Sequence, residues 1–487
     1  PIKRRSKRKV LNLKTMDYAA LWKCVDSQWE TEVLPALSNF VRVGNLSPSF
    51  SGDPVLAIQA ANVLKSFVEG AQIPGCVIEL LEEKDRTPLL LVTIDGTDGT
   101  GKTALAYGHL DKQPHLEGWT LGGPIDPLIK DGKLYGRGGC DDGYSLFAYI
   151  TAIRALKEQN IPHSRIVITI EACEESGSYD LDFYLTKLAD HIGDSVNFVI
   201  CLDSGCGNYD QLWLTNSLRG IAMGSLTVDL LYQQVHSGDG SGVIPDGMRV
   251  FRVLLDRLED SKTGKILIPE MHVEISDQTI NNAKEVAETI GDTIWNEHAI
   301  LKGVRPTSDS NVELILNRTW RPQLTIIATD HNSLPHLPGG NILRTSTTFS
   351  LSVRIPPTCN PQKALKALEE TLIKDPPYGA HVSFKDGMAC PGWADSSPSG
   401  GWLGKSFEKA SQAFFKNRSQ ALGEGGSIPI INDFQSRYKD AVIMVSGIGG
   451  PQSNMHAINE SLDIPAVKKL TACMASILAD YSVAMKA

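Results

Sequence analysis

Between residues 86 and 205, apolar runs of strand length alternate with helix-length segments. "SRIVITIEA" and "VNFVICLDS" read as strands, and "GYSLFAYITAIRALKEQN" and "LDFYLTKLADHI" read as helices. Strand–helix–strand order needs crossover connections, which bury a mostly parallel sheet beneath helices and make the fold α/β. Helical patterns precede this region in "DYAALWKCVDSQWETEVLPALSNFV" and "DPVLAIQAANVLKSFVEGA". After about residue 215 the texture changes. "LRGIAMGSLTVDLLYQ" and "TFSLSVRIP" are strand-like, and "VFRVLLDRLED" and "QKALKALEETLIK" are helical. The Gly/Ser-rich "VHSGDGSGVIPDG" between them reads as a loop. From about 393 the first texture returns with the helix "WLGKSFEKASQAFFKN" and the strand "DAVIMVSGI". A chain of 487 residues exceeds one ordinary core. The expected division is a basic disordered tail at 1–16, a large α/β unit at 17–215 and 391–487, and an inserted α+β unit at 216–390.

One short stretch invites a different reading. "GTDGTGKT" at 96–103 has the spacing of a phosphate-binding loop. Such a loop must pass directly into a helix, whose N-terminal N–H groups face the phosphates. Here Gly108 and Pro114 would interrupt that helix, and "TALAYGHL" reads better as a strand. Asp-Gly pairs mark a hairpin turn between "LLLVTI" and this strand, which rejects a nucleotide site.

The formal net charge of −9 argues against nucleic acid as a partner. No apolar run is long enough to span a bilayer, and no charged-then-apolar leader is evident. The basic "PIKRRSKRKVLNLK" reads as a tail outside the fold, with a localisation or docking signal as the alternative. Nine scattered cysteines with no C-x-x-C pair suggest reduced thiols and a cytoplasmic protein.

Chemistry-bearing residues gather where the strands should end, which is where open α/β sheets bind ligands. "GHLD" carries His109 and Asp111, an imidazole with a carboxylate on the same strand face. "YGRGGCDDG" carries Asp141 and Asp142 ahead of a helix, where one of them can cap. "EACEESGS" carries Glu174 and Glu175, whose adjacent charges call for a cation or a shared proton unless both are solvated. "CLDSG" ends a strand with Asp203, and "NMHAINE" supplies His456. Imidazole and carboxylate without cysteine suit zinc, manganese or cobalt. One histidine and one carboxylate for each of two metals, a shared carboxylate and a spare glutamate would make a two-metal site with a base.

In this order the motifs "GHLD", "GRGxxDD", "EESGS", Asp203 and "MHAINE" resemble those of the carnosinase-type di-zinc exopeptidases, across residues 20–480. "LRGI" at 218–221, "HSG" at 236–238 and "EGGSIP" at 424–429 bring the resemblance closest to the dipeptidases. The resemblance implies a zinc-exopeptidase-like catalytic domain with a mostly parallel sheet and an inserted lid and dimerisation domain. It implies that His109 and Asp203 hold one metal, that Glu175 and His456 hold the other, and that Asp141 bridges. Glu174 would be the general base and Asp111 would orient His109. His236 would reach a partner's active site in a homodimer and stabilise the oxyanion. Arg354 would hold the substrate carboxylate, with Asn341, Glu424 and Ser427 as further substrate contacts. The sequence departs from the pattern at Gly143 and Gly423, where lysine and arginine are usual, and at Met388, where a histidine is usual.

The resemblance therefore implies two divalent cations per subunit and hydrolysis of an amide bond in a short peptide with a free carboxylate. An N-acyl-amino-acid deacylase or a glutamate carboxypeptidase would use the same metals. A homologue of another class, inactive and purely structural or binding, would lack them.

Overall fold

The computed structural model describes residues 16–330, 340–395 and 401–486. The basic segment at the start of the chain lies outside them except for Met16.

A nine-stranded sheet runs through the centre. Its strands are β1 (Cys76–Leu81), β2 (Leu89–Ile94), β3 (Thr103–His109), β4 (Arg165–Glu171), β5 (Val196–Cys201) and β6 (Trp213–Leu218). A second sheet follows in the chain, from β7 (Gly220–Asp229), β8 (Gln323–Thr329), β9 (Ser346–Ile355) and β10 (His381–Cys390). The chain then returns to the first sheet with β11 (Trp393–Ala394), β12 (Gln420–Glu424) and β13 (Val442–Val445). The large sheet has the order β1-β2-β4-β3-β5-β13-β6-β11, with β12 beside β6. It is mixed: β4, β3, β5 and β13 are mutually parallel, while β1, β2, β6 and β11 join antiparallel at the flanks. The parallel centre is where the crossovers are, and β3 is buried at every residue, as a strand covered on both faces must be.

Two helices cover the face on which most of the core lies. Tyr144–Glu158 and Ile464–Ala484 pack together and are buried on nearly every side. The second was not singled out in the sequence, because a helix buried all round carries no amphipathic period. No helix among the described residues is long and apolar enough to cross a membrane. All nine cysteines are free thiols.

The four-stranded sheet β8-β9-β7-β10 is antiparallel throughout and packs on helices Gly247–Leu258 and Pro361–Ile373 around its own apolar core. Part of the span 216–390 packs away from this small core. Ala283, Val286, Ile290 and Leu314–Leu316 belong to the core of the large sheet. Asn282 Nδ2 donates to Ala421 O at 3.0 Å, and Thr289 Oγ1 accepts from Gln420 Nε2 at 2.6 Å. The apolar faces of helices Asp277–Ile290 and Asn311–Thr319 decide this placement, since the large core offers them burial. The Gly/Ser-rich stretch at 235–247 also has structure: Val235–His236 pairs with Ile342–Leu343, and Ser237–Gly240 forms a helical turn.

The 96–103 stretch leads into β3, not a helix. The expected hairpin is not formed either, because β4 lies between β2 and β3. Asp98 organises the connection by accepting from Thr100 N at 2.9 Å and from Ser164 Oγ at 2.6 Å. Lys102 contributes backbone bonds, donating to Thr100 Oγ1 and accepting from Arg165 N. Lys102→Ala is therefore expected to be silent in hydrolysis assays, and ATP titrated against the parent protein to give no binding signal. Saturable ATP binding that Lys102→Ala removes would overturn this reading of the stretch.

Candidate metal centre

The carboxyl ends of the four parallel strands converge on one group of donors. His109 is the last residue of β3 and is fully buried. Its Nδ1 faces Asp111, at 3.1 Å from the backbone oxygen and 3.5 Å from Oδ1. That leaves Nε2 directed at Asp141 Oδ1 (3.2 Å) and Asp203 Oδ2 (3.7 Å). On the other side of Asp141, His456 Nε2 lies 2.9 Å from Oδ2 and 3.5 Å from Glu175 Oε2. Two triads, His109/Asp141/Asp203 and Asp141/Glu175/His456, thus share one carboxylate, an oxygen to each.

The supporting loops explain why short motifs suffice. After β4 the chain turns through Glu174–Ser176, and Asp111 grips this turn. Its Oδ1 accepts from Glu174 N at 3.0 Å and its Oδ2 from Glu175 N at 3.1 Å. Asp111 therefore does more than face His109: it places the backbone of both glutamates. Gln113 Nε2 donates to Glu175 Oε2 at 2.5 Å. Asp142 turns inward and accepts from His109 N at 3.3 Å. Neither aspartate caps the following helix, whose N-cap is Gly143. Among the described residues the Glu174 carboxylate makes no hydrogen bond.

The charges fit a site built for cations. Burial, with the Asp141 charge beside it, pushes Glu175 up to about 8. Burial lifts Asp203 to about 6 against the pull of His109. Burial alone would lower His456, but Asp141 and Glu175 outweigh it and raise it to about 9. Burial alone would raise Asp141, but the bonds from both histidines hold it well below the carboxylate range. Glu175 Oε1 is buried without a hydrogen-bond partner. An orphaned buried oxygen among crowded carboxylates and imidazoles is the donor set of a divalent-cation site.

These shifts predict the behaviour of metal-free protein. Glu175, Asp203 and His456 each have a folded pKa above the unfolded value, so the folded state binds more protons. Stability from these groups is complete below the unfolded carboxylate values and is lost as pH rises from about pH 4 to about pH 9, through the folded values of Asp203, Glu175 and His456. The thermal midpoint of metal-free protein should fall across that window. Added cation should stabilise most at its upper end, because ligands bind metal deprotonated. Thermal scans with and without chelator read both; a metal-free midpoint that rises with pH would contradict the cation site.

Two further groups hold the remaining candidates. Arg354 Nη1 donates to Ser427 Oγ at 3.1 Å, and Ser427 Oγ donates to Arg219 O at 2.5 Å. Glu424 packs against Gly205, where a side chain would meet its Oε1 at 2.7 Å, and so sits two residues beyond Asp203. His236 and Asn341 form the other group, joined by Ser237 N donating to Asn341 O at 2.9 Å. The His236 side chain is 70% exposed and contacts no residue of the two triads among the described residues.

The departures have physical causes. A side chain at Gly143 would meet Gly138 O and the Phe40 ring, each at 2.3 Å. The buried Lys112 ammonium lies 4.3 Å above that same ring and donates to three backbone carbonyls. A side chain at Gly423 would strike Ser217 Oγ at 2.4 Å, and guanidinium at the 424–427 loop comes instead from Arg219, whose Nε donates to Gly425 O at 3.0 Å, and from Arg354. Burial and the neighbouring arginines lower Arg219 to about 9. Met388 is half exposed on edge strand β10 opposite Met223. Sequence reasoning passed over Gln113, Arg137, Arg219 and Glu460. Arg137, Arg219 and Glu460 stand inside recognisable motifs, yet nothing in their spacing distinguishes them from surface charges.

The pattern of peptidase family M20/M25/M40 matches residues 105–480. A cysteinylglycine-S-conjugate dipeptidase of Corynebacterium striatum is 26% identical over 407 residues, covering 79% of this chain and 82% of its own. A beta-Ala-His dipeptidase of Homo sapiens is 27% identical over 395 residues, covering 77% and 74%. In fold, the chain is similar to the dipeptidase Dug1p from Saccharomyces cerevisiae, with a TM-score of 0.77 at 22% identity over 96% of this chain and 99% of that one. With the match spanning most of the central sheet, its four parallel strands included, and every residue of both triads, the chain belongs to peptidase family M20/M25/M40 and is a metallopeptidase.

Proposed function

We propose that the chain is a two-cation dipeptidase that hydrolyses the amide bond of dipeptides or short peptides with a free carboxylate. The observation that carries this reading is Asp141, whose two oxygens face the Nε2 atoms of two histidines from opposite sides, each backed by a further carboxylate. His109 and Asp203 would hold one cation, Glu175 and His456 the other, and Asp141 both. Zinc fits these donors best, with manganese or cobalt also compatible. Bound cations would acidify a water and polarise the scissile carbonyl. Glu174 accepts a proton at its carboxylate and delivers it to the leaving amine nitrogen. Asp111 keeps His109 and the glutamate turn in register.

Arg354 and Ser427 hold the substrate carboxylate, with Glu424 beside them, and a partner subunit's His236 and Asn341 close the site over the carbonyl. The exposed His236 supports a site completed by a second copy. So does strand β8, an edge of its sheet among the described residues, with Ile326 and Ile327 45% and 52% exposed. Free thiols fit a cytoplasmic location. Relatives named for Cys-Gly conjugates and beta-Ala-His set the panel that tests this reading: Cys-Gly, beta-Ala-His, further dipeptides and N-acyl amino acids, each with zinc and with manganese. Turnover of dipeptides is expected. Turnover confined to N-acyl amino acids would overturn the dipeptidase assignment, and no turnover with any metal would overturn the enzyme.

A further inference from the structure

Arg137 of "YGRGG" and Glu460 of "MHAINE" belong to neither triad and to neither group of substrate candidates, yet their side chains are 1% and 0% exposed. They form an ion pair, Arg137 Nη1 to Glu460 Oε2, at 2.8 Å. Every other bond they make goes to backbone. Glu460 Oε1 accepts from the N–H groups of Gly138 (3.0 Å), Cys140 (3.1 Å) and Asp141 (3.2 Å). Arg137 Nη2 donates to Ala457 O at 2.9 Å and Nε to Pro114 O at 3.2 Å. Gly136 N donates to Glu460 O at 3.0 Å. The pair therefore joins three loops: the one after His109, the one carrying Asp141 and the one carrying His456.

The His456 loop needs such a tie. Asn454, His456 and Asn459 all adopt positive φ, of 53°, 60° and 58°. Side chains rarely adopt that region and stay there only where the surroundings over-determine it. The His456 side chain is also 55% exposed, so packing does not fix it. His109 differs: it ends a buried strand and is held by Asp111. A buried ion pair adds little net stability over apolar residues of equal size. What this one supplies is direction, through charge-assisted bonds to specific backbone atoms.

We propose that Arg137 and Glu460 are positioning residues for the second cation. They hold His456 against Asp141, so that Asp141, Glu175 and His456 form a ligand set before the cation arrives. The inference rests on the two-cation reading above.

The test is a cobalt(II) titration of metal-free protein, followed by visible absorption and direct metal analysis. Wild-type protein is expected to take up two ions. In Glu460→Gln the amide oxygen can still accept from the three N–H groups, but the amide nitrogen meets the Arg137 guanidinium. The first cobalt ion should bind as in the wild type, and the second should bind ~10–100-fold more weakly, as when a partner of a metal ligand is lost. Turnover should recover when cobalt is raised to saturation, which a general loosening of the fold would not allow. Arg137→Lys keeps the charge but loses the bonds to Ala457 and Pro114; it is expected to show the same split and carries the test if Glu460→Gln does not fold. Two cobalt ions bound with wild-type affinity in either folded variant, or an equal weakening of both, overturns the positioning role. Wild-type protein that binds fewer than two overturns the two-cation reading itself, and this inference with it.

Discussion

Glu174→Gln is expected to retain both cations and to lose roughly two to four decades of turnover, the usual consequence of removing a general base. Asp111 bonds the backbone N–H of Glu174, not its side chain, so glutamine leaves the turn and the neighbouring Glu175 in place. The carboxylate itself makes no hydrogen bond among the described residues, which leaves it free to take and return a proton. Burial, reinforced by Asp203, Glu175 and Asp111 and opposed by His109, raises its pKa well above the ordinary value. A carboxyl group with raised proton affinity suits a base that must carry a proton through each cycle. Glutamine cannot accept that proton. Metal analysis of the variant should give the wild-type content, and KM should move little beside kcat. Near-normal kcat would remove Glu174 from the role of base. Loss of one cation would make it a ligand instead.

His236→Ala is expected to lower turnover by roughly two to three decades, the scale on which a single oxyanion donor acts, while leaving metal content unchanged. Among the described residues, His236 contacts none of the five candidate metal donors of its own chain. It lies in the short pairing with Ile342, beside Asn341, with its ring exposed and its Nδ1 accepting from Gly238 N at 3.1 Å. The bland alternative is a surface histidine on a short turn, whose loss would change nothing. Complementation separates the two. Inactive His236→Ala is mixed with inactive Glu174→Gln under conditions that exchange subunits. If sites are shared, a mixed dimer contains one site with both lesions and one with neither, and activity returns. Exchange without recovery, or a fully active monomer, would rule out the role in trans.

By itself, the sequence determined the α/β class and singled out the histidines and carboxylates that the fold gathers into two triads, for a local reason. A strand end followed by a tight loop is specified by residues within a few positions of one another, so "GHLD", "CDDG", "EESGS" and "CLDSG" carry their own geometry. The P-loop resemblance of "GTDGTGKT" could be dismissed on the same local grounds, because Gly108 and Pro114 lie just downstream. Tertiary structure decided everything that depends on distant pairing. It inserted β4 between β2 and β3, because strand order follows the burial of whole faces and not chain adjacency. It placed helices Asp277–Ile290 and Asn311–Thr319 on the large core despite their position in the inserted segment. It brought Arg137 to Glu460 across 323 residues, and Phe40 into the space that Gly143 leaves open. Charge pairing and steric filling act through space, and a single chain read in order carries no signal for which distant residue will arrive.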